Sequence, residues 1–172
     1  MKLSTLTRAQ VQQVREWRNE ELQFLRTPHL ITENMQDGFF DNVINNRDSR
    51  HRYFSIMGKM KESLEREFIG MCGLTNIEWE NGTAEISLII NPRYRGKGNG
   101  ENSTCLLLGE AFGNMRLFSV FGEVYDCGNR AFWETLVDRI GGSYKTNLKH
   151  RKYYNGKMYD SMWFSFKKMV SI

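Results

Sequence analysis

The chain has 172 residues and carries 24 basic against 20 acidic side chains, a net charge of +4; that length suits one core, so a single domain over 1–172 is expected, with a charge excess that fits an anionic ligand better than a nucleic-acid surface. Cys72, Cys105 and Cys127 lack CxxC spacing and lie among apolar residues, which points to buried free thiols and excludes a disulfide framework or a structural metal. Neither a signal-peptide run at residues 1–8 nor a stretch of about 18 apolar residues is present, so a cytoplasmic protein without a membrane span is expected.

Residues 2–6 read as a short strand. Thr7 and Gln10 then have the spacing of a capping box, and Val11, Val14, Trp17 and Leu25 give a helical apolar face to about Arg26, where Pro28 stops it. Thr32 caps a second helix with Met35, Phe39, Val43 and Ile44 on one face, ending in the polar stretch 45–49. The period then changes to two, and 53–57 and 68–77 read as strands. Asn81-Gly82, a pair that tolerates positive φ, turns the second of these into a strand at 83–90. There Ala84, Ile86, Leu88 and Ile90 share one face, and Glu85 projects from the other with Thr83 and Ser87. A glycine cluster follows Pro92, then an apolar helix at 105–115 and a strand at 118–125, which implies a parallel crossover. Residues 129–140 read as a helix ended by Gly141-Gly142. The strands 143–151 and 158–166 flank a two-residue turn at Asn155-Gly156. The order β-α-α-β-β-β-α-β-α-β-β describes a mixed α/β sheet with helices on its faces.

Chemistry concentrates in Arg95-Gly96-Lys97-Gly98-Asn99-Gly100, placed between a strand and a helix. Successive main-chain N–H groups in such a turn, with the positive end of the following helix, make a cradle for a pyrophosphate. Arg93, Arg95 and Lys97 add cations beside it. A Walker loop fails because Gly98, not Ser or Thr, follows Lys97. A dinucleotide fingerprint counted from Gly96 and Gly98 places Glu101 where its third glycine belongs. An ordinary glycine-rich turn is the remaining alternative.

The Arg95-x-x-Gly98-x-Gly100 pattern and the element order resemble the GNAT superfamily of N-acetyltransferases over nearly the whole chain. Trp17-Arg18-Asn19 and the stretch 155–160 are similar, less specifically, to the branch that acetylates ribosomal-protein amino termini, polyamines and nucleotide-linked amino sugars. The resemblance implies a central, mostly antiparallel mixed sheet whose fourth and fifth strands splay apart to admit acetyl-CoA. Its pantetheine arm would pair with the main chain of Leu88, Ile89 and Ile90, and its diphosphate would rest on Arg95, Gly96, Lys97, Gly98, Asn99 and Gly100. Asn129 would hold the pantetheine, serve as a helix cap, or both.

The implied reaction is direct attack of a primary amine on the thioester in a ternary complex. At neutral pH only about one alkyl amine in a thousand is unprotonated, a handicap of roughly 4 kcal/mol, so a base is needed. Glu85 falls on the family's position for it; its alternative reading is a solvated charge on an open strand face. A main-chain N–H near Ile90 would steady the thioester oxygen. The family's general-acid tyrosine is missing, since seven residues past Asn129 lies Leu136. Tyr125, Tyr144 and Tyr153 are the substitutes considered, and unaided departure of the thiolate is the other route. Phe132-Trp133 reads as packing. Cys105 lacks a histidine at nucleophile spacing, and His29, His51 and His150 are scattered. The basic, aromatic stretch 149–154 reads as a charged rim rather than a nucleic-acid surface. Few acids stand out near the expected acceptor pocket, formed by the first two helices, the 27–31 connection and the last hairpin, which disfavours polycations. The rival to an enzyme is an acyl-CoA-binding module without turnover, and a free final-strand edge would permit a homodimer.

Overall fold

The computed structural model describes residues 1–26, 29–59, 65–140 and 143–168. Thr7 and Gln10 form the expected reciprocal cap, at 3.3 and 3.0 Å, after a first strand β1 (Lys2–Ser4), and start α1 (Arg8–Glu20) with Val11 and Val14 wholly buried. The helix stops short of Arg26. Asn19 bonds both main-chain groups of Ile31, and the buried Lys152 ammonium donates to the carbonyls of Gln23 and Leu25, so the backbone after Glu20 is satisfied without continuing the α-helix. A 3₁₀ turn, Leu22–Phe24, fills the gap. The expected stop at Pro28 lies outside the described residues.

Thr32 caps α2 (Glu33–Phe39), which runs on into a π-type turn, Phe40–Ile44. Its expected face is corrected at two positions. Met35 is half exposed, whereas Gln36 is buried because its amide donates to the Val11 carbonyl at 3.0 Å. The strands β2 (Arg52–Lys59), β3 (Arg66–Glu78) and β4 (Thr83–Ile90) follow. Asn81-Gly82 is the second half of a four-residue turn rather than a two-residue one: Glu78 pairs with Thr83, and its carboxylate accepts from the Asn81 amide.

Helix α3 (Asn99–Gly109) starts six residues before the expected position. Apolarity missed the first turns because Ser103 and Thr104 are buried by returning their hydroxyls to the carbonyls of Asn99 and Gly100. After β5 (Ser119–Tyr125) and α4 (Arg130–Arg139), β6 (Tyr144–Tyr154) and β7 (Lys157–Lys167) form the expected hairpin, Asn155 and Gly156 both at positive φ. The Gly141-Gly142 stop lies outside the described residues.

The seven strands form one sheet in the order β1-β2-β3-β4-β5-β7-β6, antiparallel except for β4 beside β5. The final strand is interior, between β5 and β6, so the edge that was expected of β7 belongs to β6. One face is packed by Leu107 and Leu108 of α3, by Ala111 in the π-type turn Glu110–Asn114 that continues it, and by Leu136 and Val137 of α4; the other by Val11 and Val14 of α1 with Phe39 and Phe40. The parallel β4–β5 ladder has only three pairs, ending at Glu85–Phe121. Beyond it the two strands part, as the sequence resemblance implied.

Candidate active site

From Ile86 to Ile90, β4 has no partner on its β5 side, so main-chain groups on that edge are open to a ligand. At the end of that edge Gly96 and Gly98 adopt φ of +69° and +75°, and Gly98 is the left-handed residue from which α3 starts. No side chain caps this helix; its first internal bond runs from the Asn102 N–H to the Gly98 carbonyl at 3.0 Å, leaving the amides of Asn99, Gly100 and Glu101 ahead of the ladder. A Cβ on Gly100 would meet the Phe132 ring at 3.0 Å. A cavity of about 470 Å³ opens here between the β4 segment 88–90, the glycine turn, Asn129, Phe132 and Trp133. An amide-lined, positive end leading into an apolar slot beside open strand edge fits the diphosphate and the uncharged arm of coenzyme A.

The flanking charges are arranged differently from a simple cationic collar. The Arg95 guanidinium forms a two-pronged pair with Glu21 at 2.5 and 2.6 Å and donates to the Ile90 carbonyl at 2.9 Å, so it ties the end of α1 to the end of β4. Lys97 donates to the Arg93 carbonyl and stays exposed, Asn99 holds the Tyr94 carbonyl, and Glu101 is paired with Arg139. Asn129 stands at the start of α4 without capping it.

A second cavity, of about 450 Å³, shares Arg18, Phe24, Leu25, Leu88, Ile89, Asn129 and Trp133 with the first. Glu85 lies in it and is 9% exposed, which rules out the reading as a solvated surface charge. One carboxylate oxygen pairs with Arg26, the other accepts from the Asn76 amide at 3.2 Å, and the Asn76 N–H is in turn held by His51 Nδ1 at 3.2 Å. Glu123 lines the same cavity from β5 and accepts from Arg151 and Ser161, with Arg26 at 3.9 Å. Burial pushes its carboxyl up, but the bonds from Arg151 and Ser161 and the charge of Arg26 outweigh that and hold it below its ordinary value. Arg26, His51, Asn76 and Glu123 escaped the sequence reading. For Glu123 the signal that could have found it is the alternation Phe121, Glu123, Tyr125, which shares one face of the expected strand. The cavity therefore contains two acids where few were foreseen, both already engaged by arginine.

Of the three tyrosines considered as acids, Tyr125 lines this second cavity, while Tyr144 and Tyr153 are exposed and line neither. Burial raises the Tyr125 phenol, with Arg26 opposing. Leu136 is buried in the core, and Trp133 stacks on Phe164 at 4.7 Å as expected of packing. Cys105 is corrected from buried to exposed, since Ser103, Thr104, Leu107 and Leu108 form the inward face of α3; Cys127 is half-buried and Cys72 buried. The cations of 149–154 are taken up internally: Lys149 by Asp160, Arg151 by Glu123, Lys152 by carbonyls. Among the described residues no helix is long and apolar enough to cross a membrane, and no three metal-ligating side chains gather.

The fold is shared with solved structures of spermidine N-acetyltransferase SpeG from Vibrio cholerae. The complex with CoA and spermine superposes with a TM-score of 0.81 at 18% identity, covering 96% of this chain and 94% of that one. A K23-Q34 chimera of the Vibrio cholerae enzyme and hSSAT gives 0.80 at 20% identity over 96% and 94%; the dodecameric intermediate state gives 0.75 at 19% over 96% and 92%. No curated protein matches the sequence. The model of the acetyltransferase (GNAT) domain matches residues 1–135, a span that contains the strand opening, the glycine turn and Glu85, and the chain belongs to the GNAT acetyltransferase family.

Proposed function

We propose that this GNAT N-acetyltransferase moves an acetyl group from acetyl-CoA to a primary amine by direct attack, the amine entering from the Glu85 cavity and the thioester from the glycine-turn cavity. The single observation that carries the reading is the wall the two cavities share, which lets two reactants meet at Leu88 and Ile89 while their distal parts occupy separate space. Acetyl-CoA supplies the activated acyl group. Main-chain groups of Leu88, Ile89 and Ile90 and the amides after Gly98 position it, and Asn129 lies beside that path.

Glu85 is the base in this reading. It takes a proton from the incoming ammonium, directly or through water, once Arg26 yields its place beside the carboxylate. An ammonium and a guanidinium compete for the same oxygen, so Arg26 occupies the position an acceptor needs. Asn76 keeps the carboxylate aimed during that exchange. Of Tyr125, Tyr144 and Tyr153, Tyr125 is the one that lines this cavity, and in this reading it returns a proton to the leaving sulfur. The SpeG neighbour binds spermine according to its name, and a polyamine is one member of the acceptor class, with amino sugars and protein amino termini the others. An assembly of several copies, as in the dodecameric neighbour, is compatible with the exposed β6 edge.

Thiol release from acetyl-CoA in the presence of an amine panel tests the proposal. We expect amine-dependent release that Glu85→Gln lowers by about 10²–10⁴-fold, the usual worth of a positioned base. Tight coenzyme binding with no amine-dependent release would favour the binding module instead.

A further inference from the structure

Arg18 stands in the last turn of α1 and lines both cavities at their shared wall. Its Nε is buried without a hydrogen-bond partner, and among the described residues no carboxylate pairs with its guanidinium. The other two arginines at these cavities are matched, Arg26 by Glu85 and Arg95 by Glu21. Arg18 as a whole is half-buried, but a guanidinium keeps its proton at any physiological pH, so leaving its buried Nε donor orphaned is costly and calls for a partner. Burial does lower its pKa, with Tyr53 the facing group that opposes. The end of α1 contributes a partial negative charge but no acceptor for Nε.

We propose that Arg18 selects the acceptor: its guanidinium takes an anionic group, a carboxylate or a phosphate, that the amine carries on the same molecule. This rests on the acetyl-transfer reading for the identity of the other substrate, and three features favour it. First, the neighbours of Arg18 on the shared wall are Phe24, Leu25, Leu88, Ile89 and Trp133, a stretch suited to the uncharged part of the cofactor, whose phosphates have their own amides at the glycine turn. An anion beside Arg18 therefore comes from the acceptor. Second, both acids of the acceptor cavity are engaged, Glu85 by Arg26 and Asn76, Glu123 by Arg151 and Ser161. A polycation finds only one acid it can win, by displacing Arg26. Third, Glu85 and Arg18 line one cavity, so a molecule with one ammonium and one anion satisfies both, and its charge complements the site where a diamine's does not.

The test uses matched pairs, with saturating coenzyme A for calorimetric affinity and acetyl-CoA for thiol release: phosphoethanolamine against ethanolamine, and β-alanine against β-alaninamide, with spermidine as the polycation. Calorimetric affinity and thiol release are read for the wild type, Arg18→Gln and Arg18→Lys. The member of at least one pair that carries the phosphate or carboxylate should bind at least about tenfold more tightly than the member that lacks it, as a charge-assisted bond gives. Whichever pair responds distinguishes phosphate from carboxylate. Arg18→Gln should erase the difference with coenzyme affinity unchanged, and Arg18→Lys should restore part of it. Arg18-dependent binding of an anionic amine without thiol release would uphold the role of Arg18 and contradict acetyl transfer. Equal binding within both pairs in the wild type, tighter binding of spermidine than of either anion, or loss of coenzyme affinity in Arg18→Gln would overturn the inference; the wild-type comparison stands even should a variant fail to fold.

Discussion

The two sides of the site are built by opposite means. The cavity proposed for the cofactor is centred on one continuous stretch, residues 88–101, which presents main chain: an open strand edge, two left-handed glycines and an uncapped helix start. The cavity proposed for the acceptor is assembled from side chains on α1, β2, β3, β4 and β5, with Glu85 and Glu123 held by residues from other parts of the chain. A main-chain site is hard to alter by substitution and so keeps one ligand; a side-chain site changes with each residue and can diverge toward different acceptors.

Substitutions on the two sides should separate cleanly. The largest effect expected is Glu85→Gln, which lowers kcat/KM for the amine by about 10²–10⁴-fold while the coenzyme dissociation constant, measured calorimetrically, stays put. A matching loss of coenzyme affinity would break the division. Next comes Gly98→Val. A β-branched residue at φ +75° is strained by about 1–3 kcal/mol, and the turn can relieve it only by turning its amides away, so coenzyme affinity should fall by about tenfold or more.

Lys152→Met should act on the acceptor side from a distance. It leaves the Gln23 and Leu25 carbonyls without their buried donor, at a cost of about 1–3 kcal/mol, and frees the segment carrying Phe24, Leu25 and Arg26. The amine KM should rise more than the coenzyme dissociation constant. The smallest effect concerns Glu123, whose carboxyl titrates below its ordinary value of 4.5 once Arg151, Ser161 and Arg26 outweigh its burial. A depressed acid contributes stability that is complete above its unfolded pKa and lost as pH falls through the folded one. The melting temperature of the wild type should therefore drop as pH falls below 4.5 more steeply than that of Glu123→Gln, whose cost at neutral pH is about 1 kcal/mol given how exposed Arg151 is.

The same contrast explains what could be read from the sequence. The glycine turn was legible because its chemistry is local: spacing alone places Gly96, Gly98 and Gly100 between a strand and a helix. The element order was legible because periodicity survives in β4 and β5, and the Asn155-Gly156 turn follows from φ preference. Arg26, His51 and Asn76 left no signal, since they converge only after β2, β3 and the 3₁₀ turn are folded together. The early start of α3 was hidden by buried hydroxyls that look like solvent-facing residues, and the interior place of β7 is decided by pairing between distant segments. Arg18 was visible only as part of Trp17-Arg18-Asn19; its orphaned charge belongs to the tertiary structure.

The most direct test of the central claim, that main-chain amides at the start of α3 grip coenzyme A independently of the acceptor side, is a calorimetric titration of coenzyme A into the wild type, Glu85→Gln and Gly98→Val. We expect equal binding by the first two and at least about tenfold weaker binding by the third, all three melting cooperatively. No heat with the folded wild type, or undiminished binding by Gly98→Val, would contradict it.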